Sequence, residues 1–211
     1  MEIYRRRIAY QDKATVDVYV DKFLEGEAKQ EHDATTEALK AALDFVSPLE
    51  RVLDLPCGTG RYASLLHERG YAYVGADVSM EMMEVLVQRR EKDGGALALV
   101  RCLGEALPFK SDSFDSVVCV RLLNHHIPSG IRRMMLREMR RVSKSWLIVQ
   151  SHRLKPLGPL SSLKVRIRKL FRGNISKYQI VEEILSEGWI EKKRIPIHHK
   201  PFYIGVYNKK P

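Results

Sequence analysis

The stretch Arg51-Val-Leu-Asp-Leu-Pro-Cys-Gly-Thr-Gly-Arg61 decides the fold of this chain. Val52, Leu53 and Leu55 form a short apolar run that is typical of a buried strand, and Pro56 ends it. Small residues then predict a tight turn, after which apolar residues recur at helical spacing. Strand, glycine turn and helix open a nucleotide-binding unit, in which the glycines let the backbone approach a ligand and the helix N-terminus offers free N–H groups.

Two cofactors fit this unit, and the charge at the end of the strand separates them. Gly58, Gly60 and Ala63 satisfy the dinucleotide pattern G-x-G-x-x-G/A, which predicts an NAD-dependent oxidoreductase. Asp54, however, lies just before the turn, where a carboxylate would repel a pyrophosphate and attract a cation such as the ammonium group of S-adenosylmethionine (SAM). An ordinary strand-turn-helix corner that binds no cofactor is the third interpretation.

Four short motifs carry a resemblance to a known family. Asp54-x-x-Cys-Gly58-x-Gly60 resembles motif I of the class I SAM-dependent methyltransferases, in the form of a methyltransferase type 11-like domain. Asp77-Val78-Ser79 resembles motif II, residues 102–109 resemble motif III, and Phe114-Asp115 resembles the start of motif IV. The resemblance covers about residues 50–151 by motif and the rest by the order of elements.

Two residues differ from the family pattern. Pro56 replaces the first glycine of motif I, and its carbonyl can still accept from the amino group of the cofactor. Leu103 replaces the aspartate that holds the adenine amino group in the family, which leaves backbone groups near Gly104 and Glu105 to contact the base. The resemblance implies SAM as the cofactor and the following binding residues: Asp54, Leu55, Pro56, Cys57, Gly58, Gly60, Asp77, Val78, Leu103, Gly104, Glu105 and Arg121.

The alternation of elements predicts one α/β domain. Its 211 residues suffice for a full hydrophobic core. Strands are expected at 52–55, 71–76, 96–100, 116–120, 146–150, 189–197 and 202–208, with helices at 34–46, 80–90, 130–142 and 176–187. We expect a Rossmann-like, doubly wound, mostly parallel seven-stranded sheet, which by resemblance ends in an antiparallel C-terminal hairpin. Residues 1–50 form an N-terminal helical cap in this interpretation, and residues 51–211 form the SAM-binding domain.

Composition indicates a cytoplasmic protein. The longest apolar runs are only a few residues, so no transmembrane helix is expected, and no signal peptide is readable behind the basic N-terminus. The three cysteines, Cys57, Cys102 and Cys119, show no C-x-x-C spacing. This argues against a disulfide framework or a zinc site, and no metal site is predicted.

The net charge of +10 is uneven along the chain. Residues 1–50 carry a balance of −4, residues 51–150 of +4, and residues 151–211 of +10. Residues 153–173, which include the basic and apolar SSLKVRIRKLFR, leave the carboxyl end of the fifth strand. We expect this insertion to cap the acceptor pocket and to recognise an anionic substrate or an anionic membrane surface. A solvated helix face is the alternative.

The loop after the fourth strand carries the candidate catalytic residues. Ligands bind at the carboxyl ends of parallel strands, so His125 and His126 are candidate general bases for a weakly acidic acceptor. A histidine that only packs against or caps the next helix is the alternative. Arg121 is expected to pair with the methionine carboxylate or with a substrate acid, and a surface ion pair is its alternative.

The leading functional hypothesis is therefore SAM-dependent methyl transfer to the oxygen or nitrogen of a small molecule that is anionic or lipid-associated. The second hypothesis is an RNA-binding or RNA-modifying protein that uses its basic C-terminal third, although no recognised RNA module accompanies those charges. An NAD-dependent oxidoreductase is the third. The sequence indicates neither the identity of the acceptor nor the oligomeric state.

Overall fold

The structure of the chain is a computed structural model. It describes residues 12–21, 25–47, 50–93, 98–124, 127–152, 177–198 and 200–211. His125, His126 and the insertion at 153–173 lie outside these residues, so the predictions made for them stay predictions. No helix in these ranges combines the length and the apolar character needed to span a membrane.

Helices and strands alternate along most of the chain. The helices are α1 (Lys13–Asp21), α2 (Gly26–Leu43), α3 (Ala63–Glu68), α4 (Met80–Asp93), α5 (Ser129–Val142) and α6 (Lys177–Ser186). The strands are β1 (Arg51–Asp54), β2 (Ala72–Asp77), β3 (Ala98–Arg101), β4 (Phe114–Cys119), β5 (Ser143–His152), β6 (Trp189–Pro196) and β7 (Phe202–Lys209).

All seven strands form one sheet in the order β3-β2-β1-β4-β5-β7-β6. Strands β1 to β5 pair in parallel, whereas β7 runs antiparallel to both of its neighbours. This confirms the predicted doubly wound sheet with an antiparallel C-terminal hairpin. The strand order reverses between β1 and β4, and ligands bind at the carboxyl ends of the strands at such a switch point.

Two hydrophobic layers cover the two faces of the sheet. Val52 of β1 belongs to the layer that contains α2, α3 and α4, whereas the next residue, Leu53, belongs to the layer that contains α5 and α6. Leu39 of α2 and Leu136 of α5 are completely buried examples of the two layers. Burying one such side chain contributes about 1.5–3 kcal/mol. Because β1 is covered on both faces, only its carboxyl end is open to a ligand.

Two elements begin three or more residues earlier than the sequence pattern predicts. Helix α2 begins at Gly26 rather than at Ala34, because its first two turns are mostly polar and show no apolar periodicity. Strand β5 begins at Ser143 rather than at Trp146. Its first residues lack an apolar run, and its pairing with β4 shifts register in that region, where the Ser143 hydroxyl donates to the Trp146 carbonyl at 3.0 Å.

Candidate cofactor and acceptor site

A cavity of about 210 Å³ lies at the carboxyl ends of β1, β2 and β4. Nine of the twelve predicted binding residues line it: Leu55, Pro56, Cys57, Gly58, Asp77, Val78, Leu103, Gly104 and Arg121. The other three, Asp54, Gly60 and Glu105, do not form its wall. Sequence analysis missed several residues of the wall, among them Tyr19, Arg61, Ile127 and Met135.

The glycine turn is held in place by hydrogen bonds from its backbone N–H groups to β2. The Cys57 N–H donates to the Ala76 carbonyl at 2.9 Å, and the Gly58 N–H donates to Asp77 Oδ2 at 2.8 Å. Gly58 and Gly60 have φ angles of +52° and +76°, a region that favours glycine. The turn is therefore fixed against the strand that carries the second predicted acidic residue.

Gly60 also has no room for a side chain, because a Cβ atom there would overlap Leu86 Cδ1 of α4. We expect Gly60→Ala to destabilise the fold by about 2–4 kcal/mol, from the positive φ and from overpacking together. Gly70→Ala is the matched control, because Gly70 has the same φ of +76° and nothing within 4 Å of its Cβ position. The control should lose only about 1–2 kcal/mol in urea unfolding. Equal losses in the two variants would show that the contact with Leu86 is unimportant.

Asp54 is a buried carboxyl group beside the glycine turn. It is 2% exposed, and its Oδ1 atom has no hydrogen-bond partner among the residues that the structure describes. Burial, reinforced by the nearby charge of Asp77, raises the pKa of Asp54 to about 8. An unsatisfied buried acceptor costs about 1–3 kcal/mol. An ammonium group would both satisfy the oxygen and compensate its charge, so the residue fits the amino group of SAM.

Asp77, at the end of β2, is nearly buried and well hydrogen-bonded. Its carboxylate accepts from the Gly58 N–H and, through Oδ1, from the Ser79 N–H at 2.9 Å. Burial raises the pKa of Asp77, and these N–H groups oppose that shift. A carboxylate has about four acceptor sites, so Asp77 can still accept from a ribose hydroxyl, as the prediction requires.

The wall expected to hold the adenine is formed by the loop after β3. Leu103 is 39% exposed and lines the cavity, and Gly104 lies against Met135 of α5. The loop is held by α5, because Glu138 accepts from the Leu107 N–H at 2.8 Å and Arg141 donates to the Leu107 carbonyl at 2.9 Å. With leucine at 103, this wall offers apolar contact and backbone groups to a base.

Charged residues from four separate elements meet on the other side of the cavity. Arg121 Nη1 lies 2.8 Å from Glu31 Oε1 of α2, and Lys200 Nζ lies 3.7 Å from Glu31 Oε2. Arg61, which follows the glycine turn, stacks its guanidinium 4.5 Å from the centre of the Tyr19 ring of α1. The predicted residue Arg121 is thus in a half-buried ion pair with another part of the chain. Arg61 had one sequence signal, its position directly after Gly60.

Other candidate chemistry in the described residues is limited. His152 ends β5 and stacks on Phe202 at 4.5 Å between ring centres. Cys119 is buried, and burial raises its pKa, which makes its thiol a poor nucleophile. No group of three or more His, Cys, Asp or Glu in the described ranges is arranged to hold a metal ion.

Comparison with known proteins supplies the family. The model of a family described as "Methyltransferase domain" matches residues 52–145. The ubiquinone/menaquinone biosynthesis C-methyltransferase UbiE of Stenotrophomonas maltophilia (strain R551-3) is 35% identical over 163 residues, which cover 67% of this chain and 61% of that protein. A probable 18S rRNA (guanine-N(7))-methyltransferase of Dictyostelium discoideum is 28% identical over 85 residues, covering 36% of this chain and 29% of that protein. The chain therefore spans about three fifths of the length of the UbiE relative.

Solved structures show the same architecture. The magnesium protoporphyrin IX methyltransferase ChlM from Synechocystis PCC 6803, solved with bound SAH, superposes with a TM-score of 0.73 at 19% identity, covering 98% of this chain and 99% of that one. The same protein solved with bound SAM gives a TM-score of 0.72 at 17% identity, covering 99% and 96%. At such identities the likeness concerns the fold. Together with the family model and the UbiE relatives, it confirms the predicted resemblance of this chain to the class I SAM-dependent methyltransferases.

Proposed function

We propose that the chain transfers the methyl group of SAM to the oxygen or nitrogen of a small anionic molecule. The observation that carries the cofactor assignment is the buried carboxyl of Asp54 beside a glycine turn, whose Oδ1 has no hydrogen-bond partner in the described part of the chain. Asp54 holds the amino group of the cofactor, Asp77 its ribose, and the wall at Leu103 and Gly104 its base. SAM supplies an electrophilic methyl group on a sulfonium that is already a good leaving group.

The protein's main task is then alignment of the acceptor with the S–CH3 bond. An acceptor with a weakly acidic proton also needs a base, for which His125 and His126 remain our candidates. The UbiE relatives are C-methyltransferases by name, so carbon is the competing acceptor atom. NMR of the methylated product distinguishes the three atoms.

The charge near the cavity supports an anionic acceptor. Arg61, Arg121 and Lys200 bring three positive charges, and Glu31 brings one negative charge. The carboxylate of SAM would neutralise one further cation. Because cations outnumber anions in this group of side chains, a carboxylate or phosphate ester is the acceptor class that we propose.

Helices α1 and α2 support the proposed division of the chain into a cap (1–50) and a methyltransferase domain (51–211). Tyr19 of α1 contacts Arg61, and Glu31 of α2 contacts Arg121, so both helices reach the cavity. The role of residues 153–173 as a second cap, toward an anionic acceptor or an anionic membrane surface, stays a prediction.

Binding and turnover test this function in two steps. We expect calorimetry to show micromolar binding of SAM and its product S-adenosylhomocysteine, and no comparable binding of NAD. With isotope-labelled SAM, carboxylate-bearing alcohols, phenols and amines should accept the label faster than their neutral methyl esters. Absence of SAM binding at millimolar concentration would refute the assignment, and faster labelling of the esters would refute the anionic acceptor.

RNA is the second candidate substrate, because 18S rRNA (guanine-N(7))-methyltransferases match about a third of this chain. Phosphate contacts make binding steeply dependent on salt. A filter-binding assay that shows strong RNA retention at low salt and its loss at high salt would favour this candidate over the small molecule.

A further inference from the structure

We propose that Glu31 is an internal competitor of the cofactor carboxylate, which holds Arg121 in the unliganded protein and exchanges to Lys200 when SAM binds. This inference rests on the proposed cofactor site. It adds that Glu31 changes its ion-pair partner when the cofactor binds there. It makes cofactor binding compete with the contact between α2 and the loop that follows β4.

Side chains of opposite charge lie at the ends of two neighbouring strands. Asp54 of β1 is in register with Val118 of β4, and Arg121 follows three residues later. Neighbouring strands lie about 4.8 Å apart. The amino acid end of SAM carries an ammonium and a carboxylate on one carbon. An acid and a guanidinium side by side complement that pair, with Asp54 on the ammonium and Arg121 on the carboxylate.

A second guanidinium, that of Arg61, increases the positive charge at this place, which favours the binding of an anion. Arg61 lines the same cavity as Arg121, and the two are close enough that the charge of Arg121, after burial itself, lowers the pKa of Arg61. Both guanidiniums also lie near the hydroxyl of the buried Tyr62. Burial raises the pKa of Tyr62, and the two positive charges oppose that rise. Two partly desolvated cations next to each other are a favourable site for a carboxylate.

In the structure, Glu31 places a carboxylate on Arg121. The contact is 2.8 Å long, and the two side chains are only 30% and 23% exposed, so solvent screens it less than a surface pair. A ligand carboxylate on the same guanidinium would bring two negative charges together, which is unfavourable. The ligand must therefore displace Glu31 at least in part.

Lys200 gives Glu31 a second partner. Its Nζ lies 3.7 Å from Glu31 Oε2, longer than the contact with Arg121, and it is itself half-buried in the turn between β6 and β7. A small shift of Glu31 away from Arg121 would tighten this second contact. The released carboxylate then stays paired, which limits the cost of the exchange.

The exchange predicts that loss of Glu31 improves cofactor binding. In calorimetry, Glu31→Gln should bind SAM about three- to tenfold more tightly than the parent, because the carboxylate of Glu31 no longer competes for Arg121. Decarboxylated SAM keeps the adenosine and the amine but lacks the carboxylate, so its affinity should not rise. Lys200→Gln should bind SAM about two- to threefold more weakly, because the displaced Glu31 loses its partner.

Glu37→Gln is the matched control for a change of charge on α2, since Glu37 is exposed and paired with Lys40 on the helix surface at 2.8 Å. It should leave SAM binding unchanged, and thermal unfolding without ligand should confirm that every variant folds. Unchanged or weaker SAM binding by a folded Glu31→Gln variant would overturn the exchange, as would an equal gain for decarboxylated SAM. If the parent protein binds no SAM at all, the proposed function itself fails.

Discussion

Replacement of Asp54 by asparagine is expected to stabilise the unliganded protein and to abolish its affinity for SAM. Asn keeps the shape of the side chain but cannot compensate an ammonium. Loss of a buried, charge-assisted partner should weaken SAM binding by about a hundredfold or more, which calorimetry measures directly. The same change removes a carboxyl group that the fold buries without a hydrogen bond to Oδ1 from the described residues.

The stability gain has a defined pH dependence. The pKa of Asp54 is about 8 in the folded chain, and about 3.9 is ordinary for the unfolded chain. Between these values the folded state binds more protons than the unfolded state, so this group makes the free energy of unfolding fall as pH rises from about 4 to 8. Asp54→Asn should therefore match the parent near pH 4 and exceed it by about 2–5 kcal/mol at pH 8 in urea unfolding.

Cofactor affinity follows the opposite trend in the parent. Binding of an ammonium requires the ionised carboxylate, so SAM affinity should rise by up to about tenfold per pH unit as pH approaches 8. Asp33→Asn is the control, because Asp33 is exposed and its pKa is lowered by a hydrogen bond from Lys29. It should change neither the affinity nor its pH dependence. A parent affinity that is constant from pH 6 to pH 8 would contradict the raised pKa of Asp54.

Features that depend on neighbouring residues could be predicted from the sequence. The apolar side chains of Val52 and Leu53 predict a buried strand. Asp54 and Asp77 are predicted at strand ends because each directly follows such an apolar run. Parallel strands place their carboxyl ends at one edge of the sheet. Local pattern and this rule together predict that the two carboxyl groups lie close together. In the structure Asp77 lines the cavity and accepts from the Gly58 N–H, and Asp54 is buried nearby at the end of β1.

Features that depend on distant partners could not be predicted in the same way. Glu31 and Arg121 are 90 residues apart, and Arg132 and Glu183 are 51 apart. Periodicity indicates which face of a helix is apolar. A charged residue is predicted to be solvent-exposed, whether or not it forms a buried ion pair in the folded chain. Arg132 lies in a helix that the sequence describes only as strongly basic, yet it is completely buried.

Arg132 and Glu183 form a buried ion pair between α5 and α6 whose loss is expected to be severe. Their side chains are 0% and 2% exposed, and the pair is bidentate, with Nε and Nη2 each 2.7 Å from a carboxylate oxygen. Ser129 also donates to Glu183 at 2.7 Å. Arg132→Met or Glu183→Leu alone leaves a buried charge without compensation, which should lower the free energy of unfolding by about 3–5 kcal/mol.

An ion pair that is exposed on its arginine side provides the control, between Arg137 of α5 and Glu187, which directly follows α6. Arg137 Nε lies 2.8 Å from Glu187 Oε2, but the Arg137 side chain is 65% exposed. Arg137→Met should therefore change urea unfolding little, since water and salt already screen the contact. A loss in this variant as large as that of Arg132→Met would show that burial is not the cause.

The double variant Arg132→Met/Glu183→Leu separates stability from positioning. Replacing both charges by apolar groups of similar size removes the desolvation cost, so stability should return close to that of the parent. SAM affinity should not return, because Arg132 Nη1 also donates to the carbonyl of Ile127, which lines the cavity at the start of α5. Without that donor the loop after β4 loses its anchor in a variant that still folds. Full recovery of both stability and affinity would show that the pair serves packing alone, whereas recovery of stability without affinity assigns Arg132 a positioning role in the cofactor site.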